Sequence, residues 1–511
     1  MLDRLAFRLF GVPGAPVKYE VGTVRIPMRD SVELGADLYR PADPIGTLLV
    51  RGPYGRGRLF SLLAARLWAA RGYRVLFVSS RGTYDSAGEF DPMRDEAADG
   101  QDVVAWMREQ PWFAGAFATV GTSYLGFTQW ALLDDPPPEL VAAVVCVGPH
   151  DFGRHTWGTG AFNLDFVGWT NMIVRAREGK RRSGRGLRAV LDGLPLADAA
   201  DAHFRGRAPW FRYRATHPDL SDPYWARMQY EDALDRVTVP VLLIGGWQDL
   251  FLNQTMQQYA RLHARGLKVA LTVGPWTHLQ VVTRGGRVTT AETLDWLDEH
   301  AAGRAGSARK APVRIFVTGA AEWRDLPEWP PKTIIVRAEL PEIAGHFAFN
   351  PADPTPSVGG PLLEKGGVVD DRALTARPDV LTVTGEPLEN DLTVLGAPEV
   401  ELDHRTDNPH ADLFVRISDV DPRGRSHNVT EGYLRLDPRR DPGPVRLTLR
   451  PTAHRFRAGH RIRLVIAGGS HPQYARNLGT GENPGTGSAL KAARHTIDPD
   501  GSSLRLPVEE A

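Results

Sequence analysis

Three residue types that together can break an acyl bond occur here in an order and setting that let them meet. Ser123 lies in Gly121-Thr122-Ser123-Tyr124-Leu125-Gly126, where an apolar run over 116–121 passes directly into a helical pattern over 124–133. A strand that turns sharply into a helix through Gly-x-Ser is a nucleophile elbow, which lifts the serine hydroxyl above the sheet edge. The helix N-terminus beside it favours developing negative charge. The spacing is G-x-S-x-x-G, one residue longer than the usual form. A serine nucleophile needs a base, and the base needs an acid that orients it. Asp249 follows the apolar run 239–244 through Gly245-Gly246-Trp247-Gln248, and His278 follows the run 268–273 through Gly274-Pro275-Trp276-Thr277. The chain order Ser, Asp, His, each after a strand, is the order of this triad on an α/β-hydrolase sheet.

Rival residues fit less well. His150 and His155 precede the acid, His263 and His300 fall in or near predicted helices, and Asp235 comes before its strand. Taken singly, Ser123 reads as a turn, Asp249 as a helix N-terminal acid and His278 as a loop imidazole. Three coincident strand ends favour the chemical reading. The oxyanion then needs donors. The N–H of Tyr124 is one. The loop Arg51-Gly52-Pro53-Tyr54-Gly55-Arg56-Gly57 offers the Tyr54 hydroxyl as another. Otherwise Tyr54 is a loop tyrosine packed on the sheet.

The elements that must position these residues alternate. Apolar runs at 47–50, 74–78, 116–121 and 141–147 read as buried strands, with helices over 59–71, 95–109 and 124–133 between them. Fully apolar strands separated by helices predict a parallel sheet covered on both faces. From 152 to 235 the text turns Arg-rich and aromatic and reads as a mostly helical insertion. Strands over 239–244, 268–273 and 313–317 and helices over 254–265 and 293–302 resume the rhythm. Beyond Trp329-Pro330-Pro331, short alternating runs at 333–336, 381–383, 411–417, 445–449 and 461–465 lie between Pro, Gly and Asp turns. They predict an antiparallel β-sandwich. The expected organisation is a core over 1–151 and 236–330, a helical cap over 152–235 and a β domain over 331–511.

Composition closes several alternatives. The 511 residues carry 61 basic and 61 acidic side chains, so no basic excess points to nucleic acid. Only seven of the basic residues are Lys, a skew that codon bias toward Arg, Ala, Gly and Pro explains without phosphate recognition. The one cysteine, Cys146, excludes an internal disulfide, fits a reducing, cytoplasmic compartment and reads as a buried strand thiol. No apolar run reaches the ~18 residues of a membrane span. The spacing of Leu2, Leu5, Ala6, Leu9 and Phe10 predicts a short helix packing on its own chain or on a second subunit, with contact to a membrane as the alternative. A homo-oligomer is left open. There is no H-E-x-x-H and no Cys cluster, so no metal or other cofactor is expected. Asp403, His404, Asp407, His410 and Asp412 read as a solvated polar turn. Gly479, Gly481, Gly485 and Gly487 form no phosphate-binding fingerprint.

On these residues the chain resembles the group of serine acyl hydrolases that includes cocaine esterase, X-Pro dipeptidyl-peptidase and α-amino-acid ester hydrolase (CocE/NonD-type hydrolases). The matching segments are MRDSVELGADLYRP (28–41), RGPY (51–54), RGTYDSAGEF (81–90), EAADGQD (96–102), QPW (110–112), GTSYLG (121–126), GGWQDLF (245–251) and GPWTH (274–278), followed by EWPP (328–331), DPTPSVGG (353–360) and GGSHPQYARNLGTGE (468–482). The resemblance implies Ser123 as nucleophile, Asp249 as acid, His278 as base, and Tyr54 with the Tyr124 amide as the oxyanion hole. It implies an α/β-hydrolase domain with an inserted helical cap, plus a C-terminal jelly-roll-like (galactose-binding-like) β domain. Leu279 stands where the group usually has Gly, a departure that bears on pocket shape.

The expected activity is hydrolysis of an ester or amide through an acyl-enzyme, with a small-molecule substrate. Trp157, Phe162, Trp169 and Trp276 are the expected pocket aromatics, against the alternative that they are cap core. Two readings keep the nucleophile: an acyltransferase, and a peptidase releasing N-terminal dipeptides, which would need a carboxylate for the free amine. A non-catalytic binding protein is the reading from a different class.

Overall fold

The computed structural model describes every residue except Met1, 179–182, 305–308, Glu339, Pro442 and Ala511. Ten strands form one sheet: β1 (Tyr19–Pro27), β2 (Glu33–Pro41), β3 (Thr47–Gly52), β4 (Arg74–Ser79), β5 (Phe117–Thr122), β6 (Leu140–Cys146), β7 (Val241–Gln248), β8 (Val269–Thr277), β9 (Val313–Val317) and β10 (Glu322–Leu326). Their order is β1-β2-β4-β3-β5-β6-β7-β8-β9-β10. Strands β4 through β9 run parallel. β3 and β7 are buried at every residue, as strands covered on both faces must be.

The sheet is mixed where the sequence predicts a parallel one. β1 and β2 form an antiparallel hairpin, β2 pairs antiparallel with β4, and β10 closes the other edge antiparallel to β9. β1 and β10 are largely exposed or half-buried, so neither carries the continuous apolar run that marks the inner strands. The helix expected over 59–71 is broken into Arg58–Ser61, a π-helical turn Leu62–Arg66, and Leu67–Arg71. The helix expected over 293–302 starts earlier and runs Gly286–His300. Its glycine start reads as a break in sequence, but a Cβ on Gly286 would stand 2.7 Å from the Phe10 ring, so the position needs a residue without one.

Between β6 and β7 the described residues form seven helices, Phe152–Trp157, Asp165–Arg177, Leu187–Leu191, Leu196–Phe204, Pro209–Thr216, Pro223–Ala226 and Ala233–Arg236. Fully buried Arg214 ties them to the sheet. It pairs with Asp91 at 2.9 Å and donates to the Pro92 carbonyl and to the Tyr224 hydroxyl. Such a buried guanidinium is tolerated because a carboxylate pairs with it and its Nε and one Nη find acceptors, while the other Nη has no partner.

Past residue 330 the structure is almost all β. The long strand Ala493–Glu509 is the spine of a seven-stranded sheet, and Arg461–Ala467 and Asp412–Val420 are the inner strands of a four-stranded one. Leu402, Leu413, Val415, Ile417, Leu464, Ile466, Leu504 and Leu506 fill a common core, as a sandwich requires. The polar segment 403–412 is a solvated turn only at its centre, where Asp407 is exposed and His410 half-buried, and its two ends lie on strands. His404 is fully buried on Glu399–Thr406 and shares a 3.0 Å hydrogen bond with His495, and Asp412 is buried against Arg435 at 2.8 Å. Strand pairing on both sides pulls these polar groups inside.

The first helix, Leu2–Phe10, buries Ala6, Phe7 and Phe10 against the chain's own helix Gly286–His300 and the turn Leu62–Arg66, and leaves Leu2, Leu5 and Leu9 exposed. No helix among the described residues is long and apolar enough to cross a membrane.

Candidate active site

β5, β7 and β8 are parallel and nearly adjacent, so their C-terminal ends share one sheet edge. Ser123 directly follows β5 with φ 62° and ψ −120°, a left-handed conformation strained for a residue with a side chain. The turn is held by its surroundings. Ser123 N–H donates to the Cys146 carbonyl at 2.9 Å, and Gly126 and Phe127 N–H groups close on the Ser123 carbonyl at 2.8 and 3.0 Å. The glycines are steric necessities. A Cβ on Gly121 would meet the Leu125 carbonyl oxygen at 2.4 Å, and one on Gly126 would meet Gly148 Cα at 2.7 Å. The second contact explains the longer G-x-S-x-x-G spacing: the closest approach of the helix to the end of β6 falls at the third position of the helix.

The three chemical residues meet. Ser123 Oγ–H donates to His278 Nε2 at 2.8 Å, and His278 Nδ1–H donates to Asp249 Oδ1 at 2.6 Å. Asp249 is fully buried, and its Oδ2 accepts the Phe251 N–H at 2.8 Å. That geometry fixes the imidazole tautomer with its lone pair on the hydroxyl. The rival histidines are elsewhere or inert. His150 and His155 are held down to about 3 by burial, hence neutral. Cys146 is a buried thiol, pushed up to about 12 by burial.

Tyr54 and Tyr124 flank the serine. Burial raises the Tyr54 phenol, which keeps its proton, and its hydroxyl accepts the Trp169 Nε1–H at 3.1 Å while reaching Ser123. Tyr124 opens the helix Tyr124–Leu133, so its N–H has no acceptor within that helix. Its ring stacks on Trp169 at 6.0 Å, and its hydroxyl donates to Glu96 Oε1 at 2.9 Å. Glu96 in turn is paired with buried Arg51 at 2.6 Å. The EAADGQD segment thus braces the elbow from beneath.

Two cavities open on Ser123 and His278. The larger, about 370 Å³, is walled by Phe60, Leu63, Trp68, Met172, Ile173 and Leu279, among other apolar residues. The smaller, about 40 Å³, holds Phe152, His155, Asp165, Phe251 and Leu363. Trp169 lines both. The other expected pocket aromatics do not line either. Trp157 is buried with its Nε1–H on the Arg214 carbonyl, Phe162 packs between Trp157 and Phe211, and Trp276 packs on Gly274, Gly285 and Trp323. All three are buried core.

Several residues of the site carried no sequence signal. Asp165 Oδ1 accepts the Leu363 N–H at 3.2 Å, and its buried Oδ2 has no partner. Burial pushes this carboxyl up to about 7. Leu363 and Arg450 reach the site from the β-sandwich, more than 100 residues from the nearest triad member in Arg450's case. Phe251 was legible as the end of the GGWQDLF segment, as were Leu279 and Trp169 as pocket residues.

Residues 30–280 match the family model of X-Pro dipeptidyl-peptidase (S15 family), and residues 305–504 that of the X-Pro dipeptidyl-peptidase C-terminal non-catalytic domain. Together the two matches span most of the chain, which is thus similar to X-Pro dipeptidyl-peptidases of the S15 family over both of its parts. The chain is a serine hydrolase with an α/β-hydrolase fold and a C-terminal β-sandwich. Among its relatives is the cocaine esterase of Rhodococcus sp. (strain MB1 Bresler), 29% identical over 90% of this chain and 92% of the relative. In fold it resembles a solved α-amino acid ester hydrolase, with TM-score 0.83, 24% identity and 98% of each chain covered. It resembles equally an aminopeptidase from a marine sediment archaeon, Thaumarchaeota archaeon, with TM-score 0.83, 22% identity and 97% of each chain covered. The first match spans strands β2 to β8 and all three members of the Ser123–His278–Asp249 chain, and the second runs from β9 and β10 through most of the sandwich.

Proposed function

We propose that this serine hydrolase cleaves carboxylic esters through an acyl-enzyme. Ser123 is the nucleophile, His278 the base, Asp249 the acid, and the Tyr54 hydroxyl and Tyr124 N–H the oxyanion donors. The observation that carries the reading is the unbroken hydrogen-bond chain from Ser123 Oγ through His278 to Asp249. Ser123 Oγ attacks the ester carbonyl as His278 Nε2 takes its proton. The carbonyl oxygen gains charge facing Tyr54 and Tyr124, the alcohol leaves with the proton from His278, and water repeats the cycle to free the acid. Segment 152–235 acts as a cap over the cavities, and 331–511 as the β domain that supplies Leu363.

An ester is favoured over a peptide by the cavity walls. The large one is apolar, and the single unpaired carboxyl, Asp165, sits in the small one. A peptidase acting at a free N-terminus is the second reading, and Asp165 is the observation that favours it. A carboxyl raised to about 7 is only partly ionised at neutral pH, so it makes a weak ammonium partner. The single buried cysteine supports a reducing, cytoplasmic setting.

The test is intact mass after treatment with a fluorophosphonate, on wild type and on Ser123→Ala. One adduct on wild type and none on the variant supports the assignment; an adduct on the variant, or none on folded wild type, overturns it. Turnover of aryl esters against aminoacyl arylamides then separates the two readings.

A further inference from the structure

The helix Leu2–Phe10 is amphipathic in an unusual sense. Its inner face is buried, yet its outer face carries leucines: Leu2, Leu5 and Leu9 are 43%, 63% and 61% exposed. Arg4 and Arg8 lie beside them, exposed on the same outer face and about one turn apart. The helix packs on the turn Leu62–Arg66, and Phe10 and Leu63 line one small cavity together. Leu63 also walls the apolar cavity that opens on Ser123, and at that cavity Leu63 and Leu279 are 36% and 39% exposed. Arg284 lies in the segment between His278 and the helix Gly286–His300, Arg287 lies in the first turn of that helix, and both are exposed. Arg287 sits against the end of the first helix, since a Cβ on Gly11 would stand 3.1 Å from its Nε. None of Arg4, Arg8, Arg284 and Arg287 makes an ion pair among the described residues.

Leucines in water flanked by unpaired arginines are the pattern of a helix that lies in the plane of a lipid interface. We propose that this face is a docking surface for an anionic lipid bilayer. The leucine ridge enters the headgroup boundary, the four arginines meet the lipid phosphates, and the apolar cavity beside it is placed to take esters that partition into the membrane. A second copy of the chain is a poorer occupant. A two-fold contact through this helix would bring arginines against arginines, with no free acidic group on the face to meet them. The last step, delivery of a lipophilic ester, rests on the ester-hydrolase reading; the docking itself does not.

The test is flotation of the full chain with phosphatidylcholine vesicles and with vesicles containing phosphatidylglycerol, at low and high salt, beside the double variant Leu5→Glu/Leu9→Glu. Neither leucine touches the catalytic site, so turnover of a water-soluble short ester should be unchanged and reports that the variant is folded. Wild type should float with the anionic vesicles and lose binding as salt rises. The leucine variant should not float. Arg4→Gln and Arg8→Gln should each weaken partition about fivefold. Wild type that stays unbound to anionic vesicles overturns the proposal, as does a leucine variant that binds like wild type. A wild-type dimer that the leucine variant splits, with no vesicle binding, overturns it in favour of a second copy. Ser123→Ala should float like wild type, so a failed hydrolase assignment and a failed docking surface give different results.

Discussion

The guanidinium of Arg450, from the β-sandwich, donates a hydrogen bond to the main-chain carbonyl of Asp249. Nearby, Gln248 Nε2–H donates to the Val429 carbonyl at 2.9 Å, so the loop that carries the acid is pinned from outside its own sheet. Every polar group of Asp249 is thereby committed: one carboxylate oxygen to His278, the other to the Phe251 N–H, its N–H to Gly246 and its carbonyl to Arg450. The sandwich thus helps to build the site, although its family model is described as non-catalytic.

Arg450→Ala should therefore lower kcat while leaving KM nearly unchanged. Misplacement of the acid by a fraction of an ångström weakens the orientation of His278, and losses of about tenfold to a hundredfold follow from such displacements. Arg450→Lys, which keeps a donor and the charge, should recover part of the rate. Steady-state kinetics on a soluble aryl ester with both variants checks this. A rise in KM at constant kcat would mean that Arg450 shapes the pocket instead.

The titration of Asp165 should show in stability. Its folded value, about 7, lies above its ordinary 3.8, so the folded chain holds a proton that the unfolded chain has lost across that window. Stability from this group is full below pH 3.8 and declines as pH rises toward 7. Asp165→Asn should raise the Tm at pH 8 relative to wild type and leave the difference near zero at pH 4. The buried neutral histidines His150, His155 and His404, held to about 3, and His495, held to about 4, act in the opposite sense. Their contribution is full above pH 6.5 and is lost as pH falls toward 3. Thermal melts from pH 4 to 8 on both proteins separate the two effects.

Much of this site was legible in local sequence because its positions are set by local geometry. The elbow demands small residues beside Ser123, and the helix Tyr124–Leu133 and the strand ends at Asp249 and His278 stand where apolar runs stop. The hairpin β1–β2 was not legible, since strands with one open face lose the continuous apolar run. Nor was the division of the aromatics. Trp157, Phe162 and Trp169 have the same character in sequence, and only the way the folded chain places each ring makes Trp169 a wall of the site and the other two core. Arg450 and Leu363 lie on a separate layer of the fold, and their contacts depend on how that layer docks.

The large cavity predicts a chain-length preference. Burying a methylene contributes about 0.8 kcal/mol, or about fourfold in kcat/KM, while the walls still have room. From acetyl to hexanoyl esters, kcat/KM should rise by up to that factor per carbon. Met172→Trp, which would fill part of that cavity, should flatten the rise and spare the acetyl ester. A series of 4-nitrophenyl esters measures it. Equal gains in the variant would place the acyl chain in the smaller cavity with Asp165.

Tyr54→Phe isolates the oxyanion contribution. The hydroxyl contacts Ser123 and accepts from Trp169 and makes no hydrogen bond to His278 or Asp249, so its removal should leave the hydrogen bonds between Ser123, His278 and Asp249 in place. The ring should stay packed on Phe60 and Tyr124, at centroid distances of 5.2 and 6.3 Å. The variant should keep its fold and still form the fluorophosphonate adduct, more slowly. Loss of one preorganised donor costs about 10² to 10³ in kcat, because the charge it meets exists only in the transition state. KM should change little for the same reason. If kcat falls less than about threefold, the Tyr124 N–H must hold the oxyanion without Tyr54, and the hydroxyl serves only to anchor Trp169.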